Sequence, residues 1–213
     1  MFLGQRLTSK LAFTACLIAA MSAGTVAAHA QITVKQVVTN PPHRAFQADG
    51  NIFAYLEPMP YNIIRTGQVV PIPAGFVTDF ASVPLAAQSV LPQLGAHSMA
   101  AVLHDYLYWD QSCTRDQADL LFYEAMTEYG VASWRKSIAY WAVRWRGQAA
   151  WDSNAAERKA GQPKIIPAKY LDIPANTHWA DYRAYLVQEG VKADPIPSPA
   201  IPPTYCVLDP VSK

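Results

Sequence analysis

The hydrophobic period of the chain changes once, near Pro92, and that division limits the fold more than any other feature. Before it lie short β-favouring runs at residues 32–38, 44–47, 52–56, 61–65, 69–72 and 76–80, separated by turn formers. Ala48-Asp49-Gly50-Asn51 and Arg65-Thr66-Gly67-Gln68 are turn sequences between such runs, so an antiparallel meander is expected. Pro58, Pro60, Pro71 and Pro73 carry no backbone donor and belong at strand ends or edges. After Pro92 apolar residues recur at the helical period, and three helices are expected. The first is capped by Ser98 and runs to about Trp109. The second opens on the capping box Thr114-Arg115-Asp116-Gln117 and closes at Gly130. The third begins near Ser133 and runs through Trp145 towards Trp151. The fold class that follows is α+β: a small antiparallel N-terminal sheet packed against a three-helix unit, with a proline-rich C-terminal extension.

Residues 1–30 have the order of a secretory signal: Arg6 and Lys10, an apolar run over 11–21, then Ala28-His29-Ala30. Gln31 is the expected mature N-terminus, and the expected location is exported and periplasmic. Cys16 precedes the end of the apolar run, too early for a lipoprotein signal. Residues 31–160 are read as a single α+β domain. Residues 161–213 are read as a proline-rich extension partly wrapped on it, since nine of the 17 prolines follow residue 160. One more helix is expected from about Thr177 to Glu189. The formal net charge of +1 implies no pull towards nucleic acid, and no segment after the signal is apolar for the length of a bilayer span. Cys113 and Cys206 either form a bridge, which would add about 4 kcal/mol in the chain-entropy account, or remain two buried thiols.

Two stretches concentrate the polar residues that apolar surroundings make costly to bury unpaired: Gly75-Phe76-Val77-Thr78-Asp79-Phe80-Ala81-Ser82-Val83-Pro84 and Ala101-Val102-Leu103-His104-Asp105-Tyr106-Leu107-Tyr108. Helical spacing puts Ala101, His104, Asp105 and Tyr108 on one face of the first helix. In the second helix Arg115 stands one turn before Asp119, positioned to hold it or to reach back to Asp105. If the helices pack on the sheet, Asp79, His104, Asp105 and Asp119 converge.

Such a group supports two chemistries. A carboxylate bonded to one imidazole nitrogen orients the other as a general base, giving His104, Asp105 and Asp79 as candidate catalytic residues. Thr78, Ser82, Tyr108, Arg115 and Asp119 are then candidate binding residues. Alternatively, His104 with the carboxylates forms an oxygen-rich site for a divalent metal ion that activates water; the sequence does not identify the metal. A Ser82–His104–Asp79 triad lacks a Gly-x-Ser-x-Gly elbow to present the serine. Against all of these stands a plain structural network, in which Asp79 caps a turn, His104 is a satisfied core histidine and Arg115–Asp119 is an internal ion pair.

The third helix carries Trp134, Trp141 and Trp145 among Arg135, Lys136, Arg144 and Arg146. One reading is a basic aromatic face for glycan, membrane surface or nucleic acid. The preferred reading is a core stripe of Trp134, Ile138, Trp141 and Trp145 at helical spacing, with the basic residues solvated or lying over the rings.

Gly-Phe-x-Thr-Asp-Phe-Ala-Ser-Val-Pro from Gly75 and Ala-Ala-Val-Leu-His-Asp-Tyr-Leu-Tyr from Ala100 are followed by Arg115-x-x-Ala118-Asp119-x-x-Phe122, Ala125-Met126, Gly130, Tyr140-Trp141-x-Val143-Arg144 and Gly147. In this order they resemble the phage and bacterial family known as domain of unknown function 1353, over about residues 70–151. The resemblance implies one compact domain and a phage ancestry, and brings no activity with it. The signal and the proline-rich extension depart from the short, unexported phage members. The functional expectation is an exported, hydrolase-like protein with a His/Asp site acting on cell-envelope material. The alternative is a non-catalytic envelope or phage-derived binding protein whose polar cluster is structural.

Overall fold

The computed structural model describes residues 43–46, 49–50, 52–79, 96–196 and 202–208. All of them fall within one compact unit, Val34–Lys213. The architecture is α+β. Expected features at residues 1–38, including the signal and the first β run, and Ser82 lie outside the described residues.

Strands β1 (His43–Ala45) and β2 (Phe53–Tyr55) pair antiparallel across the Asp49-Gly50 turn, with Arg44 opposite Ala54. Strands β3 (Tyr61–Asn62) and β4 (Val69–Val70) form the second hairpin, closed by bonds between Ile63 and both Gly67 and Gln68. The expected single meander is not what forms. Strand β5 (Val77–Thr78) pairs with β2, giving a three-stranded sheet in the order β1-β2-β5, and β3-β4 stands as a separate two-stranded sheet. The prolines at 58, 60, 71 and 73 explain the split: they bracket the second hairpin on both sides and interrupt the ladder there.

Helix α1 (Ala96–Asp110) is buried along its whole length from Met99 to Trp109, so it is the central element and not an amphipathic cover. Ser98 lies inside its first turn and not at the cap, because the helix already begins at Ala96. Helix α2 (Arg115–Glu128) opens on the expected capping box: the Gln117 amide donates to the Thr114 hydroxyl, and the Thr114 amide donates to the Gln117 side chain at 2.8 Å. It ends as expected at Gly130, whose φ of 74° places its amide on the Thr127 carbonyl while Val131 bonds Met126. Helix α3 (Ser133–Lys159) continues well past Trp151 and forms one 27-residue rod. Among the described residues a fourth helix, α4 (Trp179–Gln188), follows, its first amide held by the Asp49 carboxylate at 2.6 Å. That bond and His178 hold the Asp49 carboxyl below the usual carboxylate range.

The main core lies between α1, α2, the inner side of α3 and the two sheets, and contains Phe76, Leu103, Tyr108, Leu121, Phe122 and Val143. A second cluster joins Phe46, Ala54 and Val77 of the three-stranded sheet to Ile166, Ile173, Tyr182 and Leu186. Residues 164–166 run along β5: the Val77 amide bonds the Lys164 carbonyl and the Ile166 amide bonds the Gly75 carbonyl. The buried guanidinium of Arg158 then ties α3 to the end of α1 through the Trp109 and Asp110 carbonyls, and to Asp194 and Pro195. Cys113 and Cys206 are joined in a disulfide across 93 residues, with Cα atoms 5.3 Å apart. The chain-entropy account gives such a closure about 4–5 kcal/mol.

Candidate functional site

The site begins with the face that α1 turns to α2. His104 and Tyr108, one turn apart, pack with tilted rings 4.1 Å between centroids, and the Phe122 ring of α2 lies 4.6 Å from the imidazole. Both polar ends reach the same atom: His104 Nε2 lies 2.9 Å from Asp119 Oδ1, and the Tyr108 hydroxyl donates to that oxygen at 2.7 Å. The second carboxylate oxygen, Oδ2, accepts from Arg115 at 3.1 Å and from Arg144 of α3 at 3.3 Å. Arg144 also pairs with Asp116, and this bond lowers the Asp116 carboxyl below its ordinary range. Asp119 is thus the hub of the cluster, with two guanidinium groups, a phenol and an imidazole directed at one fully buried carboxylate. Burial, and after it the Asp119 charge, raise the Tyr108 phenol well above its usual range, so it stays a donor.

Asp105 belongs to a different system. It stands one residue on from His104, about 100° around the helix, and faces the sheet, where the Thr78 hydroxyl of β5 donates to its Oδ2. The edge-to-face contact of Phe76 with Tyr106, 5.4 Å between centroids, seats the same strand on α1. The expected single convergence is therefore divided in two: His104, Tyr108, Arg115 and Asp119 come together between helices, and Thr78 with Asp105 joins helix to sheet. Arg115 takes the first of its two expected partners, Asp119. Asp79 follows Thr78 just past β5 and is half-buried.

Thr78, His104, Asp105 and Asp119 are each 0% exposed. The Nδ1 atom of His104 is buried and has no hydrogen-bond partner among the described residues. A divalent cation does not fit at Asp119, whose two oxygens are occupied by four donors, two of them cationic. Among the described residues no group of three or more His, Cys, Asp or Glu side chains could hold a metal ion.

Three contributors to the site were not read from the sequence. Arg144 enters from α3 and brings a second guanidinium to Asp119 Oδ2. Gly147 lies against α1 so closely that a Cβ there would run into the Tyr108 hydroxyl. Trp151 packs edge-on to the Tyr108 ring at 5.1 Å and accepts from Gln111 through its carbonyl at 2.8 Å. Helical spacing does group Arg144, Gly147 and Trp151 near one side of α3, but the spacing does not show that this side meets α1 and α2, and Arg144 is expected in solvent or over a ring with the other basic residues. Glu128 is a further buried carboxylate that was missed, accepting from the Tyr61 hydroxyl and from the Ile64 amide at 2.8 Å, and so fixing the second hairpin to the end of α2.

The expected core stripe is overturned. Trp134, Ile138, Trp141 and Trp145 are 56%, 45%, 51% and 78% exposed, while Ala139, Val143 and Gly147 on the other side of α3 are buried. The Arg135 guanidinium lies 5.1 Å from the Trp134 ring centroid, and Trp141 and Trp145 approach to 5.7 Å.

A family model for a protein of unknown function, DUF1353, matches residues 53–143. Over these residues the chain is similar to that family. The matched segment starts at β2 and ends inside α3, and so holds Thr78, His104, Asp105, Tyr108, Arg115 and Asp119, with Arg144 one residue beyond it. Neither the curated proteins nor the solved structures gave a match. Among the described residues no helix is long and apolar enough to cross a membrane.

Proposed function

We propose that this is an exported, non-catalytic protein of the cell envelope, most simply periplasmic, in which the polar cluster of the DUF1353 domain locks three helices to one another and to the sheet. The observation that supports this reading is the complete burial of Thr78, His104, Asp105 and Asp119 together with the saturation of Asp119 by four donors. A general base must reach the proton it removes, and a buried network of this kind instead holds its elements in register. The signal-like order of residues 1–30 supports export.

One observation favours a second, hydrolase-like reading. If His104 Nε2–H donates to Asp119, Nδ1 is left as a buried acceptor with no partner among the described residues. That is the arrangement of an oriented base, and it requires a path for substrate to Nδ1.

The two readings separate under His104→Gln and Asp119→Asn. A structural lock predicts that both variants lose several degrees of melting temperature, and that the wild-type protein releases no soluble product from purified envelope material. Turnover by the wild type that His104→Gln abolishes at an unchanged melting temperature would overturn the structural reading.

A further inference from the structure

Among the described residues, the outer face of α3 carries a feature that the fold does not explain. At about 100° per residue, Trp134, Ile138, Trp141 and Trp145 fall within an arc of about 60° and extend about 17 Å along the helix. Single exposed apolar residues are ordinary on a protein surface; three tryptophans and an isoleucine aligned on one convex face are not. Between Trp134 and Trp145 the helix itself carries only basic charge; Asp152, two turns beyond Trp145, is an exposed acidic residue on the same face and accepts from Gln148 at 2.9 Å. From Ser133 to Trp151 the sequence contains Arg135, Lys136, Arg144 and Arg146 and no acidic residue. Arg144 is engaged by Asp116 and Asp119, and Lys136 by the Thr127 hydroxyl at 2.9 Å. Arg135 and Arg146 have no ion-pair partner among the described residues and flank the stripe on one side. Asp116, an acidic residue brought to this helix from α2, is paired with Arg144.

We propose that this face docks on the surface of an anionic phospholipid bilayer. Tryptophan favours the membrane–water interface, where its ring is apolar and its N–H stays hydrated, and basic residues beside an apolar helical stripe add attraction to anionic headgroups. The inner side of α3 stays on the protein core, so the helix lies in the plane of the interface with its outer side down. A convex stripe that includes Ile138 suits a bilayer better than a sugar, which is held in concave sites by hydrogen-bonding side chains. The proposal does not depend on whether the His104 cluster is structural or catalytic, because the two lie on opposite sides of α3.

The test uses protein purified after export from an expressing cell, its processed N-terminus read by mass spectrometry, since the apolar run at 11–21 would itself partition into lipid. Vesicles of phosphatidylcholine alone, or of an equimolar mixture with phosphatidylglycerol, are sedimented with the protein while tryptophan emission is recorded. The expected result is about tenfold or stronger preference for the anionic vesicles, a blue-shifted emission on binding, and loss of the preference at high salt. Replacing Trp134, Trp141 and Trp145 together by Ser should reduce partitioning about tenfold or more without lowering the melting temperature. Arg135→Gln with Arg146→Gln should remove the preference for phosphatidylglycerol while leaving the fold intact. No binding to either vesicle at low salt, or undiminished binding by the Trp variant, overturns the proposal. So does retention on purified cell-wall polysaccharide in place of vesicles, which would make the stripe a sugar platform. A concentration-dependent dimer that the Trp variant abolishes would likewise overturn it in favour of a second copy of the chain.

Discussion

The two sides of helix α3 are built on opposite rules. The inner side uses small residues, Ala139, Val143 and Gly147, and brings α3 close enough to α2 for Arg144 to reach Asp119 and close enough to α1 for Trp151 to meet Tyr108. The outer side carries the large aromatic residues and leaves them in solvent. Backbone proximity explains the choice. A tryptophan at the position of Gly147 would push α3 away from α1 and remove the Arg144 guanidinium from a carboxylate that is otherwise fully buried. The contrast teaches that helix burial here is governed by how closely a helix must approach its neighbours, and that a row of large apolar residues can be the wrong row for the core.

The sharpest way to break the inner side is Asp119→Ala. It leaves two guanidinium groups, a phenol and an imidazole around an empty position, and the expected loss is about 3–5 kcal/mol in urea unfolding. A loss below 1 kcal/mol would mean the cluster does not hold the helices.

Gly147→Ala tests the proximity argument by its sign. In an exposed helix that exchange stabilises by about 1 kcal/mol; here the added methyl meets the Tyr108 hydroxyl, and a net loss of about 1–3 kcal/mol is expected. Thermal unfolding that shows a gain in stability would place the two helices farther apart than described.

Alkaline titration probes the same contact more gently. Tyr108 has its phenol raised by burial and by Asp119, and Tyr55, Tyr61 and Tyr106 are raised chiefly by burial. Each keeps its proton in the folded state after the unfolded chain has lost it. Their contribution is therefore complete below about pH 10 and falls as pH rises towards the folded values, by about 1.4 kcal/mol per pH unit for each retained proton. Tyr108→Phe should flatten the slope of stability against pH above 10 by one such increment. An unchanged slope would show that Tyr108 ionises freely.

The smallest effect belongs to the outer side. Trp145→Ser should change stability by no more than about 0.5 kcal/mol, because the ring is 78% exposed. A large loss would return that ring to the core.

Local features were legible where the chemistry is local. The Thr114–Gln117 capping box, the Gly130 terminus and the two hairpin turns each depend on residues adjacent in sequence, and all formed as expected. The Arg115–Asp119 pair was legible because helical spacing brings the two within reach. The rest of the polar cluster was only partly legible. His104 and Asp105 are neighbours in sequence yet serve different partners, because adjacent helical positions point about 100° apart and α1 is surrounded by protein on all sides. Arg144, Gly147, Glu128 and Arg158 were hidden because their partners lie far along the chain: Arg158 meets Trp109 across 49 residues and Glu128 meets Tyr61 across 67.

By itself, the sequence determined the order of strand-forming and helix-forming segments, the two ends of α2, and which residues travel together on a helical face, since all three depend on interactions within a few residues. Only the tertiary structure decided which of those faces turned inward, that β5 would bypass the second hairpin to join β2, and that the buried carboxylates would divide between helix and sheet. Those outcomes depend on the distance between elements, and that distance is set by packing partners the local sequence does not contain.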